Sequence, residues 1–264
     1  MGTMKGRLFY FSGTGNTKWV ADRLKEKFSF YGAQLKLVNI EKNPKPDLEG
    51  CDFFIIGTPI YAGCGPKIMD DFIANFPQNN DNLKCMIYST QGADSACGAE
   101  IYRRLLEQKG YNVLIQTMIR MPNNFCFAFG REVTDEDRKA VLDNAKKKAK
   151  ELAGSFMEGQ RIYEPVSGVR VFFGKMISKI YRRSMPNSAK HFEITKDCIK
   201  CGKCVRSCPK GNITMENGCV VFHSNCMMCL RCIQGCPANA VTYKGKKIKQ
   251  TQKDIIGQAN YEQE

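Results

Sequence analysis

Apolar positions along the first 158 residues switch repeatedly between two periods. Lys5 to Phe11 (Lys-Gly-Arg-Leu-Phe-Tyr-Phe) predicts a strand, and from Trp19 to Phe30 the residues Val20, Leu24 and Phe28 share one helical face. Leu35 to Ile40 predicts a second strand. Cys51 to Gly57 predicts a third, apolar enough to be covered on both faces of a parallel sheet. Pro66 to Asn75 reads as a helix opened by its proline, Leu83 to Ser89 as a strand, Ala99 to Lys109 as a helix and Val113 to Met118 as a fifth strand. Thr134 to Gly154 is a long helix, its apolar face running through Leu142, Ala145, Ala149, Leu152 and on to Phe156, with Lys146, Lys147, Lys148 and Lys150 on the solvated side. Strands alternating with helices imply an α/β fold: a five-stranded, doubly wound parallel sheet. Ligands of such sheets sit at the carboxyl ends of the strands, where strand order reverses. The loops after the first, third, fourth and fifth strands are therefore the ones to read for chemistry.

Beyond residue 158 the pattern changes. Residues 159–189 are punctuated by Gly159, Pro165, Gly168, Gly174 and Pro186 and include a basic amphipathic run, Val169 to Arg183. That run suits peripheral contact with an anionic membrane through 169–183. It suits better a linker that buries Val169, Val171, Phe172, Phe173, Met176, Ile177 and Ile180 between two domains, because Gly174 interrupts a membrane-lying helix. Residues 190–245 form a small cysteine-rich segment, and 246–264 a polar tail.

Nine of the 14 cysteines fall between 198 and 236, an asymmetry that itself separates two domains of different kinds. Eight of them form two runs, Cys198, Cys201, Cys204, Cys208-Pro209 and Cys226, Cys229, Cys232, Cys236-Pro237. Both read C-x2-C-x2-C-x3-C-P, 28 residues apart from 198 to 226. Two-residue gaps let three thiolates converge from one tight loop on the irons of a 4Fe–4S cluster. The fourth opens a helix whose first turn tolerates a proline lacking an N–H. Zinc knuckles usually pair two C-x2-C units without the third and fourth Cys or the Pro.

These runs resemble those of the bacterial two-cluster ferredoxins, which implies a small α+β domain and two 4Fe–4S clusters. In that family the fourth Cys of each run serves the other cluster. The resemblance therefore implies one cluster on Cys198, Cys201, Cys204 and Cys236, and a second on Cys226, Cys229, Cys232 and Cys208. Thiolate ligands and oxygen-sensitive clusters imply a reducing compartment without disulfides. With no leader read at Met1 to Gly6, and no run approaching 18 apolar residues, the expected setting is cytoplasmic, with no transmembrane segment.

The loop after the first strand is Phe11-Ser12-Gly13-Thr14-Gly15-Asn16-Thr17. Short hydroxyl side chains and backbone N–H groups at a helix N-terminus bind a phosphate monoester. Gly13-Thr14-Gly15 also begins like the dinucleotide fingerprint, with Glu41 after the second strand as a ribose-binding acid, but Lys18 stands where that motif needs a small third residue. Ser12, Thr14, Gly15, Asn16 and Thr17 resemble the phosphate loop of the flavodoxins, S/T-x-T-G-x-T, over a likeness reaching from residue 5 to about 156. The resemblance implies FMN, its phosphate on Ser12 to Thr17. It places the isoalloxazine between the loop containing Thr58, Pro59, Ile60, Tyr61 and Gly63 and the loop containing Thr90, Gln91 and Gly92. Tyr61 would stack on the ring, and Asn123, in Met121 to Phe125, would form part of a lid. Cys64, Cys97 and Cys126 lie in these edge loops, where three thiols suit metal binding or redox chemistry, although a free Cys is more often a small buried hydrophobe.

The formal charge of +14 has the look of a nucleic-acid or membrane protein. Each 4Fe–4S core carries about +2 on four thiolates, so two clusters and a phosphate remove roughly six of those charges. The charge then calls for no nucleic acid; it suits an acidic redox partner protein, or a small-molecule acceptor. Two histidines leave little material for a Ser-His-Asp site, and no catalytic residue is read. The two resemblances together are those of the flavodoxin–ferredoxin fusions of anaerobic microbes, and imply electron transfer between the clusters and FMN. The alternative is an FMN-dependent oxidoreductase that reduces a quinone or other small organic molecule.

Overall fold

The structure is a computed structural model of the 264-residue chain and describes residues 3–93, 97–125, 134–251 and 255. Side chains of β1 (Met4–Tyr10) alternate between two cores. Leu8 and Tyr10 pack with Val20, Ala21, Leu24 and Phe28 of α1 (Asn16–Phe30). Phe9, on the other face, meets Phe72 with ring centroids 5.3 Å apart. β1 pairs in parallel with β2 (Ala33–Asn39) on one side and β3 (Phe53–Pro59) on the other. All of β3 is buried, which explains its unbroken apolar sequence. α2 (Lys67–Ala74) supplies Phe72, and Phe76 just beyond it joins Phe54 and Tyr111 in an aromatic cluster on that face.

β4 (Lys84–Gln91), α3 (Gly98–Gln108), β5 (Asn112–Arg120) and α4 (Asp135–Met157) continue the α/β alternation. α4 begins at a reciprocal capping box between Thr134 and Asp137 and buries Ala145, Ala149, Leu152, Ala153 and Phe156 against the core shared with α1. Strand order is β2-β1-β3-β4-β5, and it reverses at β1, so the loops after β1 and β3 flank a crevice at the carboxyl edge.

The sheet departs from the sequence expectation in one respect. Among the described residues it has six strands, because β6 (Ile162–Tyr163) pairs in parallel with β5. Two residues are too few to carry a period, and they lie in the stretch read as linker. Glu164 next to them accepts hydrogen bonds from the Met118 N–H at 2.8 Å and the Thr117 hydroxyl at 2.7 Å, which anchors the added strand.

α5 (Gly168–Ser184) occupies much of the stretch read as linker. The large apolar side chains of 159–189 are not buried as a group: Val169, Phe172, Phe173, Met176, Ile177 and Ile180 are exposed, Phe172 at 65%. The buried face carries Val171 and Ser178, with Gly174 between them at helical spacing. Small residues there let the helix approach its support closely, and the bulky residues fall on the opposite face.

The chain divides into two compact units. One holds β1–β6, α1–α4 and α5 through Ser178. The other runs from Lys179 onward and takes in Gly13–Gly15 and Asn124. In this second unit a 3-10 turn, Pro186–His191, leads to β7 (Phe192–Ile194), α6 (Lys203–Arg206), β8 (Ile213–Glu216), β9 (Cys219–Phe222), α7 (Arg231–Gln234), β10 (Val241–Tyr243) and β11 (Lys246–Lys247). β11-β10-β7 and β8-β9 form two small antiparallel sheets. Their core is modest: Ala189, Phe192, Met228, Leu230, Ile233, Val241 and Ile248. Ile248 is buried and Lys246–Lys247 pairs with β10, so the start of the expected polar tail belongs to this sheet. Among the described residues no helix is long and apolar enough to cross a membrane.

Candidate redox-cofactor sites

The 28-residue repeat of the cysteine runs is also a repeat of the backbone. Lys200 and Met228 (φ 55° and 53°), Gly202 and Leu230 (71° and 62°), and Gly211 and Asn239 (56° and 46°) all occupy the left-handed region. Left-handed geometry costs an L side chain roughly 1–2 kcal/mol, so Met228 and Leu230 are held there by burial in the small core. Gly202 and Leu230 are the N-caps of α6 and α7, turning the chain so that the third Cys of each run enters a helix. The sulfur environments repeat as well. The Asn212 N–H donates to Cys208 Sγ and the Ala240 N–H to Cys236 Sγ, both at 3.3 Å. The Met228 N–H donates to Cys226 Sγ at 3.3 Å.

Among the described residues no three His, Cys, Asp or Glu side chains converge to hold a single metal ion. The eight thiols instead line two pockets. Cys198, Cys201, Cys204 and Cys236 line one, with Ile194, Val220 and Val241. Cys208, Cys226, Cys229 and Cys232 line the other, with Phe192 and Ile213. Burial pushes the Cys204 and Cys226 thiols up, Cys232 well up and Cys229 up to about 12, the last opposed by the nearby Arg231. Apolar walls penalise a bare thiolate, and iron removes the penalty by binding it. Four thiols per pocket with N–H donors to sulfur fit an iron–sulfur cluster. Arg231 is itself buried and bonds from Nη1 to the Ser207 carbonyl at 2.7 Å, joining the second run to the first. Spacing does not single it out, because its counterpart in the first run is simply another cation, Lys203.

At the sheet's carboxyl edge, Ser12, Thr14 and Thr17 are all buried. Ser12 Oγ accepts from the Lys18 N–H at 3.3 Å, and Thr17 Oγ1 shares a hydrogen bond with Thr90 Oγ1 at 2.8 Å. The Tyr88 hydroxyl donates to the Thr17 carbonyl at 2.9 Å. Thr14 Oγ1 accepts from the Asn124 side-chain amide. A hydroxyl that accepts keeps its own hydrogen to donate. Gly15 has φ 99°, where glycine is at ease, and Gly13 is buried beside Thr14. Asn16 donates from Nδ2 to the Pro122 carbonyl at 3.0 Å, while its buried Oδ1 has no partner among the described residues. Buried hydroxyls at the start of α1 and an orphaned acceptor beside them fit a phosphate carrying a hydroxylated chain, the chemistry of FMN.

The ring loops are tied to each other. Thr58 is buried and donates to the Pro59 carbonyl at 3.0 Å, and the Ile60 N–H donates to the Thr90 carbonyl at 3.1 Å. Ala62 and Gly63 both have positive φ, closing a tight turn in which the Tyr61 N–H donates to the Cys64 carbonyl at 2.7 Å. Tyr61 is half-buried, its ring edge-on to Phe11 at 6.5 Å. Gln91 donates from Nε2 to the Ala93 carbonyl at 2.6 Å and accepts from the Met121 N–H at its own carbonyl. Gly92 lies against Asn123: a Cβ there would stand 3.0 Å from the Asn123 Cβ. The expected lid residue thus abuts the loop after β4. Asn124, which reaches Thr14, was not singled out by its sequence position within an Asn-Asn turn. Cys126 lies outside the described residues.

The Flavodoxin domain family matches residues 7–118, and the 4Fe-4S dicluster domain family matches residues 197–240. The chain is a flavodoxin–ferredoxin fusion. Among solved structures, the fusion is similar to flavodoxin 2 from Bacillus cereus (20% identity, TM-score 0.45, 58% of this chain and 98% of that one). It is similar also to a Fusobacterium nucleatum flavodoxin mutant bound to flavin mononucleotide (13% identity, TM-score 0.45, 61% and 100%) and to Megasphaera elsdenii flavodoxin (19% identity, TM-score 0.39, 54% and 98%). No curated protein matches the fusion. The two family matches, not these distant likenesses, carry the assignment. A flavodoxin domain and a 4Fe–4S domain in one chain make a redox protein of electron transfer.

Proposed function

We propose that the fusion passes electrons between two 4Fe–4S clusters and a bound FMN, linking one-electron carriers to a two-electron donor or acceptor. When bound, the clusters supply one-electron exchange and FMN supplies exchange of one or two electrons. This chain's residues hold them. Cys198, Cys201, Cys204 and Cys236 take one cluster, and Cys208, Cys226, Cys229 and Cys232 take the other. The observation that carries this reading is the division of eight thiols between two pockets, each receiving its fourth Cys from the other run. Ser12, Thr14 and Thr17, with the N–H groups around Gly13, Gly15 and Asn16, take the FMN phosphate. The segments Thr58 to Gly63 and Thr90 to Gly92, with Asn123, frame its ring, and Tyr61 is the stacking residue. The partner is an acidic redox protein or a small-molecule acceptor, in keeping with the net charge of +14.

Anaerobically purified protein tests this directly. It should contain about eight iron and eight sulfide per chain and one FMN. Reductive titration followed by absorbance and EPR should show flavin and cluster signals reporting two interacting clusters. Two irons per chain, or stoichiometric zinc, would overturn the cluster assignment; NAD or FAD in place of FMN would overturn the flavin assignment. Sustained turnover of a quinone at the rate of flavin reoxidation would make the fusion an oxidoreductase with its own substrate.

A further inference from the structure

Two cysteines that the cluster and phosphate sites leave unused stand together. Cys64 follows the tight turn after β3, and Cys97 is the N-cap of α3. Their sulfurs lie 3.6 Å apart, and both residues are buried, at 5% and 1% exposure. Backbone hydrogen bonds fix the pairing: the Cys97 N–H donates to the Gly63 carbonyl at 2.9 Å, and the Cys97 thiol bonds to that same oxygen at 3.2 Å. Val166 and Val171 complete the apolar shell. Gly174 of α5 covers the pair so closely that a Cβ there would stand 2.4 Å from Cys97 Sγ and 4.0 Å from Cys64 Sγ.

We propose that Cys64 and Cys97 are a redox-active dithiol that closes to a disulfide. A disulfide needs about 2.05 Å between sulfurs, so each Sγ must move by only about 0.8 Å, within reach of side-chain rotation. Cys97 is the attacking thiol. It sits at a helix N-terminus, and the hydrogen bond from Cys64 leads the effects that bring its thiol down to about 7; burial opposes, and its own backbone N–H, Lys175 and Arg170 assist. The oxidant is a low-molecular-weight disulfide. The Cys97 thiolate attacks one of its sulfurs and releases one thiolate. Cys64, losing its proton, then attacks Cys97 Sγ and releases the second. Two electrons and two protons pass from the pair to the external disulfide, which leaves as two thiols. Burial under Gly174 makes the exchange slow without changing its equilibrium. Closure joins the two loops that frame the proposed flavin ring by a covalent bond.

The test uses the full chain with its clusters, kept anaerobic and equilibrated in glutathione buffers from fully reduced to fully oxidised. Samples are acid-quenched, alkylated, digested and read by mass spectrometry. A peptide pair linked through Cys64 and Cys97 should appear, with alkylation of both falling at least tenfold together along a two-electron transition, about 30 mV per tenfold change in ratio. In Cys64→Ala the resolving thiol is gone, and Cys97 should accumulate one glutathione adduct. Both cysteines fully alkylated in the most oxidised buffer, or Cys97 linked to any other cysteine, would overturn the proposal. The linked wild-type peptide stands as the deciding measurement even if the variant folds poorly, and neither readout depends on flavin or electron-transfer activity.

Discussion

Arg231, buried in the second cysteine run, donates to the backbone carbonyl of Ser207, in the first run, across 2.7 Å. One guanidinium thus ties together the halves that the cysteine crossover interleaves, while its charge stands near Cys229. A fixed positive charge beside a cluster favours the reduced, more negative state. Arg231→Gln should therefore lower the potential of the cluster proposed for Cys208, Cys226, Cys229 and Cys232, by on the order of tens of millivolts. An EPR-monitored redox titration measures it, and an unchanged potential would assign Arg231 a packing role alone.

Cys208→Ala should cost the cluster built mainly from the second run, because its sulfur lines that pocket. Roughly half of the iron should be lost, the remaining signal belonging to the cluster on Cys198, Cys201, Cys204 and Cys236. Cys219→Ala, at an exposed position outside both pockets, should keep all of it. Selective loss of the first-run cluster in Cys208→Ala would reverse the ligand sets.

Thr14→Ala removes a buried hydroxyl from the phosphate loop. Losing a hydrogen bond to a charged group costs roughly 1.5–3 kcal/mol. FMN affinity should fall accordingly while riboflavin affinity barely changes, as read by flavin fluorescence quenching. Equal losses for both ligands would move the phosphate away from this loop.

The two faces of α5 should respond oppositely to substitution. Val171→Ala, in the buried face, should destabilise by roughly 1–2 kcal/mol. Phe172→Ser, in the exposed face, should stay within about 0.5 kcal/mol. Denaturant unfolding distinguishes them; a large loss from Phe172→Ser would mean that this face is covered in solution.

Glu100 provides a pH-dependent contribution. Burial pushes its carboxyl up, but hydrogen bonds from Arg103 and Arg104 outweigh that and hold it below the ordinary range. A carboxyl depressed in the folded state contributes stability above its unfolded pKa and loses it as pH falls through the lower folded value. Glu100→Gln should therefore destabilise by roughly 1 kcal/mol at neutral pH, and the difference should shrink in acid, below the usual carboxylate range. A pH-independent difference in unfolding midpoint would show that the loss is one of shape, not charge.

The architecture and the iron–sulfur motif are legible in the chain because both are written in local terms. A period of 3.6 or 2 decides which side chains face a core, so β1 to β5 and α1 to α4 are legible within a few residues. C-x2-C-x2-C-x3-C-P states its own geometry, and the two runs even place their left-handed residues at the same offsets. Tertiary structure alone decided what depends on side chains distant in sequence. β6 exists because Glu164 is held by Thr117 and Met118, not because two residues carry a pattern. The amphipathic run from Val169 could not say which of its faces would be buried; Gly174, seated against Cys97, chose the small-residue face. Cys64 and Cys97, 33 positions apart, become neighbours only when two loops converge at the edge of a parallel sheet. Periodicity reports how a segment meets solvent, whereas the partners it meets are set by crossovers that bring distant strands side by side.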